Sequence, residues 1–187
     1  MKRLFLALPI NTGEEFSELF SGLKKRLAHE KRISWSNTQQ IHLTLKFIGN
    51  CNGEDEKRII EAVENTLARH NAFDMDFNRT GLFGSRYKPR VMWLGMKETP
   101  AELLALSEDI LSVFDSIGFN RTSENFVPHL TLCRIKELCE KQYFFKVIDS
   151  IEQKTYIQQR ADKIILYRSI LDKTGAIHKV EHMFNLK

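Results

Sequence analysis

The sequence predicts a protein of mixed strands and helices arranged as two related lobes. Short apolar segments with strand character alternate with amphipathic helical segments along the 187 residues. The tetrapeptide His-Leu-Thr-Leu also occurs twice, beginning at His42 and at His129, nearly half a chain length apart and each time in a predicted strand. Because no Gly-, Ser- or Pro-rich linker separates the two halves, we expect a single domain over residues 1–187.

The first predicted elements are a strand over 2–8, which Pro9 closes, and a helix. The helix follows a capping box at Thr12–Glu15, in which threonine and a glutamate three residues later cap the first turn. Apolar residues then recur at helical spacing as far as Leu27. A second helix of the same apolar spacing is predicted over 54–70.

The third helix is predicted from its end signals, with Thr99 as N-cap, Pro100 at the first helical position and Gly118 at the end. A shorter fourth helix is predicted over 137–150. The remaining predicted strands are 41–48, 72–78, 90–96, 127–133, 155–160, 162–170 and 177–183.

Composition excludes several classes of protein. An apolar share of 42% supplies a core and excludes a disordered chain, and only nine Gly and four Pro exclude collagen-like or linker-rich chains. The net charge of +4 without a long basic tract is compatible with a nucleotide or nucleic-acid ligand but does not require one. Three cysteines without C-x-x-C spacing, and an N-terminal apolar run too short for a signal peptide or membrane span, lead us to expect a cytoplasmic protein with reduced thiols.

The repeated tetrapeptide places the same two side chains on one face of each strand. Residues i and i+2 of a strand share a face, so His42 and Thr44 project together, with Lys46 next on that face. His129 and Thr131 project together in the second strand. The alternative reading of either strand alone is a half-exposed strand whose His and Thr face water.

Paired histidines suit the cleavage of a phosphodiester. Imidazole has a pKa near 6.5, so one ring can deprotonate water while the other protonates the departing oxygen. Threonine hydroxyls beside the two rings could donate to the non-bridging phosphate oxygens, and Lys46 or a nearby arginine could neutralise the charge that develops there.

Two H-x-T-x motifs on strands resemble the 2H phosphoesterase superfamily, and in particular its RNA 2′,3′-cyclic phosphodiesterase (2′-5′ RNA ligase) branch. The resemblance extends over nearly the whole chain. The segments that carry it are RLFLALPI at 3–10, Trp35 and HLTLKFIG, PRVMWLG at 89–95, FVPHLTLCR at 126–134 and a C-terminal hairpin at 166–180. It implies an α+β fold of two pseudo-symmetric lobes, each an antiparallel sheet with outer helices, with one motif per lobe facing a central groove.

The resemblance implies catalytic roles for His42 and His129 and phosphate-binding roles for Thr44 and Thr131. Arg134 matches a basic position of the family. In a regular strand Arg134 would face away from His129, so it reaches the phosphate only if the strand bends. The same alternation would instead place Cys133 on the motif face. The family usually carries a Tyr where this chain has His178.

Other aromatic and histidine residues were weighed for ligand contacts. Phe83 and Trp93 are candidates for stacking on a nucleobase. His178 and His182, four residues apart on one strand face, could bind a metal together with a carboxylate. Because Asp and Cys do not cluster at ligand spacing, we predict no metal site and no cofactor.

The predicted function is hydrolysis of an RNA or nucleoside 2′,3′-cyclic phosphate to a 2′-phosphate by metal-independent acid–base catalysis. The alternatives are 2′-5′ RNA ligation, which is the same chemistry reversed, and a non-catalytic nucleotide- or RNA-binding module on the same groove. The expected partners are RNA ends or nucleotides that carry a cyclic phosphate. No membrane association and no obligate protein partner are indicated.

Overall fold

A computed structural model of the chain describes residues 1–120, 126–172 and 175–187, so the turn of the predicted C-terminal hairpin, at 173–174, lies outside the described residues. The elements in chain order are β1 Lys2–Pro9, α1 Glu14–Arg26, β2 Ile33–Trp35, β3 His42–Cys51, α2 Gly53–Leu67, β4 Phe73–Phe77, β5 Arg79–Gly84, β6 Pro89–Gly95, α3 Ala101–Ser116, β7 His129–Ile135, α4 Lys141–Asp149, β8 Ile157–Ala161, β9 Lys163–Asp172 and β10 Gly175–Asn185.

Two four-stranded sheets form the two lobes. The first sheet has the order β10-β9-β1-β3 and the second the order β2-β7-β6-β5, while β4 and β8 form a separate two-stranded ribbon. Neighbouring strands run antiparallel in both sheets and in the ribbon. The four helices each bury an apolar face, and α2 contacts α3. The α+β fold of two antiparallel lobes is therefore confirmed.

The two lobes exchange chain segments. Strand β2 precedes β3 in the sequence, yet it pairs with β7 in the second sheet. The loop before β2 reinforces this crossing through the buried carboxylate of Glu30, which accepts hydrogen bonds from the backbone N–H groups of Cys139 (2.7 Å) and Glu140 (2.8 Å) at the start of α4. Buried charge-assisted bonds of this kind hold the first half of the chain to the second lobe.

Helix ends depart from the sequence prediction in two places. The N-cap of α1 is Gly13 and that of α3 is Pro100, and neither helix has a side-chain cap, so the predicted capping roles of Thr12 and Thr99 are wrong. Helix α2 instead has a complete capping box, in which Asn52 accepts from the backbone and Asp55 reciprocates. The first turn of α1 carries two glutamates, and negative charge at a helix N-terminus stabilises the uncapped end.

The strand predictions miss two short elements, β2 and β5. Strand β2 has only three residues, which is too few for alternation to be visible in the sequence. Strand β5 follows β4 after a single residue, so the sequence gives no turn signal between them. Among the helices of the described segments, none has the length and hydropathy of a membrane span.

Candidate active site

Strands β3 and β7 bring the two repeated motifs to one cavity of about 460 Å³ between the lobes. The residues that line it come from the segment before β3, from β3 and β7 themselves, and from the start of β10. They are Ser34, Trp35, Ser36, Asn37, Gln40, Ile41, His42, Thr44, Phe47, His129, Thr131, Arg134, Ala176, Ile177 and His178. Four of the predicted site residues that share a face in their own strands therefore also share this cavity: His42, Thr44, His129 and Thr131.

The two motif histidines are held in the same way. Nδ1 of His42 lies 2.7 Å from the backbone oxygen of Gln40, and Nδ1 of His129 lies 2.7 Å from that of Val127. A carbonyl oxygen can only accept a hydrogen bond, so Nδ1 of each ring carries the proton and donates it. Nε2 is then the nitrogen of each ring that remains for proton exchange with a ligand.

Local structure presents the two carbonyl groups. Asn37 caps a short 3₁₀ turn, Thr38–Gln40, by accepting from the backbone N–H of Gln39, and the turn ends with the Gln40 carbonyl two residues before His42. In the second lobe Pro128 separates Val127 from His129. A residue before proline is confined to extended conformations, which limits the directions that the Val127 carbonyl can take.

Burial is the main influence on the pKa of both motif histidines. It lowers the pKa of His42, the hydrogen bond to Gln40 opposes this in part, and the charge of His129 lowers it further. It also lowers the pKa of His129, where the bond to Val127 opposes the shift and the positive charge of Arg134 adds to it. Both rings therefore favour the neutral form more than a free imidazole does.

A β-bulge follows the threonine in each motif strand. Leu6 and Ala7 of β1 pair with Lys46 and Thr44, so the ladder passes over Leu45. Met92 and Trp93 of β6 pair with Cys133 and Thr131, so that ladder passes over Leu132. An extra residue reverses the alternation of side chains beyond it. The residue two positions after each threonine therefore faces the core, and the residue three positions after it faces the cavity.

The bulges decide the fate of two predictions. Lys46 does not face the groove: its side chain is 6% exposed and Nζ donates to the backbone oxygen of Asn120 at 2.8 Å, so the predicted placement is wrong. Cys133 is fully buried, not groove-lining, and burial raises the pKa of its thiol to about 12. Arg134 does line the cavity, because the bulge turns it to the side of His129. Phe47, which simple alternation directs to the core, occupies the equivalent position in the first lobe.

The two aromatic stacking candidates lie outside the cavity lining. Phe83 packs edge-on against the ring of His129, with 4.7 Å between centroids, and so supports the histidine. Trp93 is 9% exposed, and its indole covers Gly81 so closely that a Cβ there would lie 2.2 Å from Cζ2. The predicted placement of these rings in the groove is therefore wrong, since neither presents an open face to it.

A third imidazole, from His178, lines the cavity beside His42. Its ring centroid lies 5.0 Å from that of His42 and 4.8 Å from that of Phe5. Burial, together with the charge of His42, lowers the pKa of His178 to about 4. Sequence reasoning considered His178 only as a metal ligand with His182. A further bulge at Glu181 turns His182 to the other face of β10, where its Nε2 lies 3.1 Å from a carboxylate oxygen of Glu64. The described residues contain no group of three or more potential metal ligands.

Fold and site together define a two-lobed α+β protein with a paired-histidine groove. Comparison with known proteins places this class. The LigT-like phosphoesterase family matches residues 6–93. The RNA 2′,3′-cyclic phosphodiesterase of Thermotoga maritima is 33% identical over 184 residues, which cover 95% of this chain and 92% of the relative. That of Aquifex aeolicus is 26% identical over 94% of this chain and 93% of its own length. The chain belongs to the LigT-like phosphoesterase family.

Solved structures agree on the fold. Escherichia coli LigT in its apo form superposes with a TM-score of 0.75 at 23% identity, covering 100% of this chain and 98% of that chain. TT0787 of Thermus thermophilus superposes with a TM-score of 0.76 at 20% identity, covering 98% and 97%. The two-lobed architecture is thus common to these proteins.

Proposed function

We propose that the chain is an RNA 2′,3′-cyclic phosphodiesterase that opens the cyclic phosphate of an RNA end or nucleotide to a 2′-phosphate without a metal ion. The observation that carries the proposal is the matched pair of Nδ1–carbonyl hydrogen bonds, which leave two Nε2 atoms for proton transfer in one cavity. The names of the Thermotoga and Aquifex relatives support the substrate class. A structure of E. coli LigT with 3′-AMP supports a nucleotide ligand.

The two rings perform opposite proton transfers in this mechanism. A water oxygen forms a bond to phosphorus while the bond between phosphorus and O3′ breaks. Nε2 of one histidine takes the proton of the water, and Nε2–H of the other gives a proton to O3′. The two rings therefore exchange protonation states in each turnover, and solvent restores them.

The remaining polar residues stabilise the charge on phosphorus oxygens. Thr44 and Thr131 each lie two residues after a histidine, on the same face and in the same cavity, where their hydroxyls can donate to non-bridging oxygens. The guanidinium of Arg134 supplies a positive charge that protonation of either imidazole does not alter. Loss of one threonine should cost less than loss of a histidine, because one donor among several is removed.

The test is hydrolysis of 2′,3′-cyclic AMP with identification of the product. We expect 2′-AMP from the wild-type chain, with activity that survives excess EDTA. His42→Ala and His129→Ala should each lower turnover at least about 100-fold, the usual contribution of a general acid or base. His182→Ala is the matched control, since that imidazole lies on the other face of β10 and contacts Glu64.

Three results would contradict the proposal. One is a folded His42→Ala or His129→Ala variant with near-normal turnover. Another is loss of activity in EDTA that Zn²⁺, Mn²⁺ or Mg²⁺ restores. The third is tight nucleotide binding by a wild-type chain that forms no product, as a non-catalytic binding module would show. Formation of a 2′-5′ phosphodiester from the cyclic phosphate and a 5′-hydroxyl end would establish ligation as the reverse reaction.

A further inference from the structure

The first lobe presents an exposed aromatic ring to the cavity. Phe47 is 66% exposed although its neighbours on β3 are largely buried, and it lines the cavity that holds His42. Ile177, 41% exposed on β10, lines the same cavity. Single exposed apolar residues on a convex surface need no explanation, but two that line one concave site next to polar groups are the usual composition of a ligand pocket.

A row of rings supports Phe47 from below. Its centroid lies 6.0 Å from that of Phe5 on β1, and Phe5 stacks in turn on Tyr167 of β9 with 5.2 Å between centroids. Phe5 also contacts His42 at 5.0 Å. The backbone of three paired strands therefore fixes the position of the Phe47 ring relative to the catalytic imidazole, while its outer face stays open.

The two lobes differ at this point of their pseudo-symmetry. Phe47 and Arg134 occupy equivalent positions, each five residues after its motif histidine and each turned into the cavity by the same bulge. The cavity is thus aromatic on the side of the first lobe and cationic on the side of the second. A nucleotide has the matching division into an apolar base and an anionic phosphate.

We infer that Phe47 is the platform on which the nucleobase of the substrate stacks, so that the base lies over the first lobe and the phosphate oxygens are left to Arg134. This inference rests on the proposed function for the identity of the ligand as a nucleoside phosphate. Stacking uses the π-face that every base has, so the platform accepts all four bases and favours the larger purines. Ile177 lies at the edge of the same apolar surface.

The test measures binding as well as activity. Phe47→Ala should weaken the binding of 2′-AMP roughly 5- to 150-fold, the range measured when a stacking aromatic is truncated. Its affinity for inorganic phosphate should not change. The kcat/KM for 2′,3′-cyclic AMP should fall by a similar factor, while that for base-free ribose 2′,3′-cyclic phosphate stays at the wild-type value. Phe47→Trp should retain binding, since indole also stacks.

Tyr87→Ala is the matched control, because this aromatic is 88% exposed on the β5–β6 loop, outside the cavity. It should bind 2′-AMP as the wild type does. The platform is refuted if Phe47→Ala binds 2′-AMP normally, if it loses phosphate and nucleotide affinity equally, or if the wild type binds no nucleotide. A wild-type chain that binds 2′-AMP through Phe47 but hydrolyses no cyclic phosphate would overturn the proposed function and leave the platform standing.

Discussion

At the scale of single residues, the two motif histidines differ in their neighbours. His42 lies beside His178, which is neutral above about pH 5 because its pKa is about 4. His129 lies near Arg134, whose permanent charge disfavours the imidazolium form of His129. The pseudo-symmetric pair is therefore unequal in its electrostatics, and a substitution on one side can be used to move one pKa.

We predict that Arg134→Gln shifts one limb of the pH profile upward. Removal of a positive charge favours protonation of the neighbouring ring, so the pKa of His129 rises and its protonated form persists to higher pH. A pH series of kcat/KM on 2′,3′-cyclic AMP measures this shift, together with a lower maximal value from the loss of a phosphate contact. Apparent pKa values belong to the coupled pair, so the comparison is made between whole profiles.

Arg160→Gln is the control for this measurement, because its guanidinium lies near Asp74 in the β4–β8 ribbon. Its profile should coincide with that of the wild type. A downward shift in Arg134→Gln, or an identical shift in both variants, would contradict the electrostatic role of Arg134.

At the scale of the elements, alternation predicts a strand only as far as the strand is regular. The period of two correctly assigns His42, Thr44, His129 and Thr131 to a common face, because each pair precedes its bulge. Beyond the bulge the same rule assigns Lys46 and Phe47 to the wrong sides.

The sequence contains a partial signal of one bulge. Leu132 and Cys133 are two consecutive apolar residues before an arginine, which fits an extra core-facing residue. Leu45 and Lys46 carry no such signal, because a lysine gives no indication that its stem is buried. Strand β2 was also beyond prediction, since its pairing with β7 depends on contacts between residues about a hundred positions apart.

Helix α2 gives a prediction at the same scale. Asn52→Ala should lower the free energy of unfolding by about 1 kcal/mol, because the amide oxygen of Asn52 accepts from the backbone N–H groups of Glu54 and Asp55. Asn52→Gly should cost only a few tenths of a kcal/mol, because glycine is itself a favourable N-cap. Urea unfolding followed by circular dichroism measures both. Equal losses in the two variants would show that the cap does not act through this side chain.

At the scale of the whole molecule, the exchange of β2 and the Glu30 bonds connect the lobes. We propose that residues 1–187 form one cooperative domain. Urea unfolding should then give a single transition whose midpoint is the same by tryptophan fluorescence and by far-ultraviolet circular dichroism. Trp35 and Trp93 both report on the second sheet, whereas circular dichroism reports on both lobes.

Two separated midpoints would contradict the single domain. Glu30→Ala should lower the common midpoint without dividing the transition, since it leaves two backbone N–H groups at the start of α4 without their acceptor.

The pairing of β2 with β7 also affects the order in which the protein folds as it is synthesised. Strand β2 leaves the ribosome well before β7 has been translated. Roughly ninety residues separate the two strands, so at about 5 to 20 residues per second β2 waits on the order of 5 to 20 s for its partner. The nascent first half therefore exposes an unpaired strand throughout that interval, and the second sheet closes only when the last third of the chain emerges.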